Sequence, residues 1–220
     1  MNFSPDRVAY AACVTTDISP QLDPKADFWR NAVPVHLRHD AHGNAVTGND
    51  TEVRMAWTDD ALHLLFLCQY EQLHLREGEP RIDAPTDELW LNDVAEIFIA
   101  AGASTPLRYM EFEVSPRGEW IALEIETRSP GQPVGRPLHA EAHFAASIDP
   151  AGKTWLSTMR IPFSAFDCAQ PAPGMGFRMN LFISQGTKPV QLAWQPTRHA
   201  SFHVPDAFGL LILSKQQQEG

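Results

Sequence analysis

Cysteine is scarce in this chain. Cys13, Cys68 and Cys168 are odd in number and far apart, so the pattern offers no disulfide framework and no paired-thiol metal motif. Cys68 falls in the apolar run LHLLFLCQY, where it reads as a small buried hydrophobe. Long apolar runs are also missing. No stretch reaches the roughly eighteen residues that a membrane-spanning helix needs. The opening MNFSPDRVAYAACVTTD has neither a basic leader nor an extended apolar segment. It carries no recognisable export signal, and the cytoplasm is the default expectation. Positive charge is in short supply. Seventeen Lys and Arg face 27 Asp and Glu, a net charge of -10, and the basic residues are not clustered. Nucleic acid and anionic membranes are therefore expected to be poor partners.

Helical periodicity is sparse as well. DPKADFWRNA (23–32) is compatible with a short turn capped by Asp23, and IPFSAFD (161–167) with another capped by Ser164. Apolar residues recurring at every second position dominate instead. VAYAACV (8–14), EVRMAW (52–57), LHLLFLCQY (62–70), VAEIFIA (94–100), RYMEFEVS (108–115), EWIALEIE (119–126), EAHFAASI (141–148), TWLSTMRI (154–161), FRMNLFISQ (177–185) and FGLLIL (208–213) all read as strands, and VPVHLR (33–38) as a weaker one. Turn signals such as TDDA, SPRGE, DPAGK and PAPGMG separate them. With no βα alternation, repeat or linker, the expectation is all-β: one antiparallel β-sandwich domain over residues 1–213, followed by a polar tail at 214–220. In RYMEFEVS, Met110, Phe112 and Val114 should point inward, and Tyr109, Glu111 and Glu113 outward.

Polar residues in unusual company mark the candidate chemistry. Glu96 shares its strand face with the apolar Val94 and Phe98, and a carboxylate there must be hydrogen-bonded or reach a cleft. Trp90 and Phe202 sit in polar loops, unlike Trp29, Trp57, Trp120, Trp155 and Trp194 on or beside strands. A loop aromatic either plugs the loop or offers its face to a sugar ring, whose hydroxyls nearby carboxylates and amides can take. The alternating glutamates Glu111, Glu113, Glu124 and Glu126 suit a solvated sheet face, or a glycosidase pair with a raised and an ionised carboxyl. Asp87 and Asp93, in the oxygen-rich lead to the strand at 94, are candidate calcium ligands, and no other cofactor is expected.

The order of several motifs resembles that of the family-nine carbohydrate-binding modules. DPKADFWRNA is similar to the family's opening D-x-x-x-D-x-x-W-x-x-A, and EVRMAWTDDALHLLFLCQYE to its paired strands around W-D-D-x-x-L-Y. LWLNDVAEIFIA resembles its W-x-x-D-[SA]-V-E-I-F-I segment, with Ala95 shifting the small residue by one place. WLSTMRIPFSAF resembles the W-x-x-E-x-x-I-P strand, and SFHVPDAFGLLIL the closing aromatic–x–x–P–x–x–F–G–x–L–x–L.

The resemblance spans residues 23–213 and implies a jelly-roll type sandwich that binds carbohydrate without catalysis, as an accessory to xylan or glucan breakdown. It assigns two stacking aromatics to Trp90 and Phe202 and the chief hydrogen-bonding acid to Glu96; Glu113, Asn180 and Asp93 are further candidates for the site. The chain departs from the family's binders at three places. Glu113 and Ser115 stand where those offer arginine and asparagine, Phe182 stands in the place of a glutamine, and Phe202 replaces a tryptophan. The alternatives are a sandwich with a non-sugar partner and a glycoside hydrolase using the sheet-face glutamates.

Overall fold

The computed structural model describes residues 3–16, 21–127, 129, 132–188 and 190–215. The last five residues of the polar tail lie outside the described residues. Ser214 is held, its N–H donating to the Ala11 carbonyl at 2.9 Å.

Among the described residues, fourteen strands form two layers. One layer contains β10 (His143–Asp149), β11 (Thr154–Pro162), β5 (Ala61–Gln69) and β4 (Thr51–Trp57), with β2 (Val35–Leu37) also pairing β4. The other contains β14 (Gly209–Leu213), β12 (Gly176–Gln185), β6 (Val94–Ala101), β7 (Arg108–Val114), β8 (Trp120–Thr127) and β9 (Pro133–Pro137), in that order. Two short strands, β13 (Val190–Ala193) and β3 (His39–Asp40), extend the β12 side. β1 (Val8–Cys13) joins the layers. Val8 to Ala11 pair β14, whereas Ala12 and Cys13 pair β4. A strand that changes sheets in mid-course is a standard corner of a sandwich. Both pairings of β1 are parallel, and the rest are antiparallel. The expected β-sandwich is what the chain forms.

The period-two pattern fills the space between the layers. Val53, Met55, Leu64, Phe66, Trp155 and Met159 meet Ile97, Ile99, Phe112, Phe177, Met179, Leu181 and Leu211 in one buried cluster. β5 is apolar on both faces because its outer side is covered too. Leu65 packs with Trp29 and Ala56 beneath the 23–32 segment. That segment is mostly a turn with one 3-10 element, Asp27–Trp29, in which the Asp23 carboxylate accepts the Lys25 N–H at 2.9 Å. Ser164 is not a cap. Pro162 opens the 3-10 turn Phe163–Phe166, since its fixed φ suits the position and Ser164 lies inside the turn. The three cysteines are free. Among the described residues no helix is long and apolar enough to cross a membrane.

Candidate functional site

β6, β7 and β12 lie side by side, and their registers decide which side chains share a face. Glu96 is opposite both Phe182 and Glu113, and Phe98 is opposite both Asn180 and Glu111. Side chains directly opposite on neighbouring strands stand together. This face therefore carries Glu96, Phe98, Tyr109, Glu111, Glu113 and Phe182, while the alternate residues Ile97, Ile99 and Phe112 enter the main core. The sequence pattern separates these two faces correctly and misjudges what covers the second. Tyr109, Glu111 and Glu113 are buried, at 0%, 4% and 0% exposure, where a solvated face was expected. The cover is a second apolar cluster of Phe98, Tyr109, Phe182, Phe202 and Phe208, with the 195–208 segment crossing the sheet.

Two loops stand over this face. The first carries Trp90 in the 3-10 turn Leu89–Leu91, whose Leu89 is buried against Val94 and Ile121. Burial of Leu89 leaves its neighbour Trp90 outward, 45% exposed. Glu88, ahead of the turn, adopts the left-handed φ of 57° that few non-glycine residues take. Asp93 ties the loop down. Its two oxygens accept the N–H groups of His74 at 2.9 Å and Gly186 at 2.6 Å, so its carboxylate staples three chain segments. Asp93→Ala should cost about 2 kcal/mol, read as a lower midpoint in urea unfolding, because it strands two donors of charge-assisted bonds. An unchanged midpoint would mean that the staple contributes little.

The second loop brings in Phe202 and His203. Phe202 lies flat on Phe182, with ring centroids 4.1 Å apart and planes at 13°, and only 9% of its surface is open. His203 stacks on Phe98 at 5.0 Å, and its Nδ1 is 2.7 Å from the Tyr109 hydroxyl. Thr127 donates to that same hydroxyl at 3.3 Å. Burial pushes the His203 pKa down to about 4, which keeps the ring uncharged at neutral pH.

Trp90 and Phe202 converge on one open cleft of about 480 Å³, and Glu96 and Glu111 line it with them. Leu123, Ile125, Pro133 and Gly135 of β8 and β9 form one wall, and Ser184, Gln191, Ser201 and His203 add polar atoms. A volume of this size suits a small ligand. Of the residues singled out in the sequence, Trp90, Phe202 and Glu96 thus share the cleft. Glu113 lies beside Glu96, wholly buried and not part of the lining. Asn180 is a correction. It shares the face by register, but its side chain is saturated by backbone: Nδ2 donates to the Gln195 carbonyl at 2.8 Å, and Oδ1 accepts from Leu181 and Gln195 at 2.9 and 3.0 Å. Its work is to hold the crossing segment. Asp87 is exposed and Asp93 is committed to backbone, so among the described residues neither belongs to a group of three possible metal ligands. The glutamates at 124 and 126 are not among the cleft-lining residues, and Arg108 takes Glu124 as an ion pair at 2.6 Å. Glu111 and His203 belong to the cleft without having been assigned to it from sequence. The available signal was that Glu111 shares its strand face with Glu113.

Glu96, Glu111 and Glu113 present one oxygen each within 4.8 Å of the others, all buried. Burial first, and mutual repulsion second, raise Glu96 and Glu113 well above the ordinary carboxyl range, and burial lifts Glu111 to about 7. Glu111 and Glu113 are placed to share a proton, which favours the ionised form of Glu111. Folded-state values above the unfolded value mean that the fold holds extra protons. This contribution to stability is complete below about pH 4.5 and is lost as pH rises through the folded values. His203 has the opposite sign, and its contribution is lost between about pH 6.5 and 4. Of these four groups, only the glutamates titrate between pH 6.5 and 8. In chelator-treated protein Tm should fall across that window, and Glu113→Gln should flatten the fall. A Tm that is level or rises from pH 6.5 to 8 would show that the cluster is not strained by ionisation.

The sequence profile of the carbohydrate family 9 binding domain-like family matches residues 22–216, and the chain belongs to that family. Carbohydrate binding is accordingly its function. An extracellular protein of Arthroderma benhamiae is 28% identical over 176 residues, covering 74% of this chain and 78% of that protein. A family 9 carbohydrate-binding module of Caldicellulosiruptor kristjanssonii, solved with glucose, superposes with a TM-score of 0.64 at 14% identity, covering 97% of this chain and 98% of that one. A family 9 module from the same organism solved with cellotriose gives 0.62, again at 14% identity, with 97% and 96% covered. A Bacteroides uniformis protein gives a TM-score of 0.71 at 16% identity, with 94% and 99% covered. At these identities the structural likeness establishes the fold.

Proposed function

We propose that the cleft between Trp90 and Phe202 is the saccharide site, and that it takes the end of a β-linked glucan or xylan chain without cleaving it. The observation that carries this reading is the convergence of Trp90, Phe202 and Glu96 on one open cleft of about 480 Å³. Trp90 supplies an exposed indole face for the C–H surface of a pyranose ring. Glu96 and Glu111, with His203, Ser184, Gln191 and Ser201, offer the mixed donors and acceptors that sugar hydroxyls need. Phe202, held flat on Phe182, borders the cleft with the small part of its ring that remains open. The glucose and cellotriose held by the Caldicellulosiruptor modules support the choice of a glucan.

Calorimetric titration with glucose, cello-oligosaccharides and xylo-oligosaccharides tests the reading. Saturable binding with Kd in the micromolar to millimolar range, roughly -4 to -8 kcal/mol, is expected, together with quenching of tryptophan fluorescence. Heat-silent titrations with every saccharide would overturn it, and release of reducing sugar would make the glutamates catalysts instead.

A further inference from the structure

The cleft floor holds more buried carboxylate than sugar hydroxyls call for: Glu96 and Glu111 line the cleft, and Glu113 lies wholly buried below them. We propose that Glu96, Glu111 and Glu113 form a binding site for one hard divalent cation, calcium foremost, in the floor of the cleft.

Three observations point to this ligand. The first is distance. One oxygen from each glutamate lies within 4.8 Å of the other two. Three oxygens bound to one calcium ion at about 2.6 Å can all lie about 4.5 Å apart, so a small rotation of one carboxylate is the most that is needed for a single ion to touch all three. The second is the unmet demand of Glu113. It is wholly buried, and apart from the proton that it is placed to share with Glu111, neither of its oxygens has a hydrogen-bond partner among the described residues; Glu111 Oε2 is in the same state. Buried carboxylate oxygens are ordinarily satisfied, and such orphans call for a proton or a cation. The third is the absence of any protein cation to do the work. No Lys or Arg is among the cleft-lining residues, and His203 is neutral at pH 7.

Access decides between a metal ion and a positively charged ligand such as an amino sugar. A ligand seated in the cleft reaches Glu96 and Glu111, which line it. Glu113 lies below the lining with no open surface, and only a partner as small as an ion reaches its oxygens. The ligand set is all carboxylate, which selects calcium, magnesium or manganese over zinc or copper. Calcium, with six to eight ligands, has room for water on the cleft side beside the three glutamates.

The test uses the metal alone. Protein treated with EDTA and dialysed is titrated calorimetrically with CaCl2, MgCl2 and MnCl2. One ion per chain and a rise in Tm with CaCl2 are expected. Glu113→Gln, which keeps the side-chain volume, should weaken calcium binding by about tenfold or more, and Glu111→Gln should do the same. Circular dichroism checks that both variants are folded. Absence of saturable binding of all three ions to the native protein overturns the proposal whatever the variants do. Binding that is unchanged in both folded variants also overturns it, because the ion then sits elsewhere. Saccharide titrations of the same samples with and without EDTA keep the two readings apart, since cation binding here does not require a sugar and sugar binding fails independently.

Discussion

Trp90→Ala should weaken saccharide binding by roughly ten- to a hundredfold and leave the fold almost untouched. The indole is 45% exposed in the free protein and lines the cleft, so a sugar stacked on it would cover surface now in water. Burying a large apolar side chain is worth about 1.5–3 kcal/mol, and each 1.4 kcal/mol is tenfold in Kd. Stability should change little, by about 1 kcal/mol or less, because Leu89 rather than Trp90 anchors the turn. Trp90→Phe keeps a flat ring and should retain most of the affinity. Calorimetry on the three proteins separates the outcomes. Undiminished affinity in Trp90→Ala would remove the stacking platform and leave the aromatic a loop plug.

Phe182→Ala should have the largest effect on stability, about 3–5 kcal/mol. Phe182 is fully buried, in contact with Phe98 at 4.9 Å on one side and Phe202 at 4.1 Å on the other. Its removal leaves a ring-sized cavity that the sheet cannot close. For a chain of this size each kcal/mol shifts Tm by about 2–4 °C, so a loss of roughly 6–20 °C is expected. Phe202 would also lose the surface that fixes its plane, so saccharide affinity should fall with stability. Phe202→Ala, which truncates only the upper ring, should cost affinity with a smaller loss of Tm. If differential scanning calorimetry put both variants within 2 °C of the native protein, the stacked rings would not hold the cleft wall.

The edge strand at 133–137, PVGRP, was not legible because its prolines deny it the usual strand signal, and it pairs along a single flank, with β8. β13 is only four residues long and reads as the end of a loop. The parity of β7 was legible and correct, yet Glu111 and Glu113 were expected in water. Alternation says which residues share a face and not what lies on it. Here the cover is the 195–208 segment, which is close in space and some ninety residues distant in sequence. Asn180 misled for the same reason: its parity suited the site, but Gln195 of that segment had already taken its hydrogen bonds.

What the sequence determined by itself is the set of short-range facts: strands from a period of two, turns from proline and glycine, and a loop tryptophan at 90 six residues ahead of a strand acid at 96. These depend on neighbours a few residues apart. Only the tertiary structure decided that Trp90 and Phe202 face one cleft, and that three glutamates from two adjacent strands are buried together beneath it. Strand register and the crossing of a distant segment set those distances, and neither is written in local alternation.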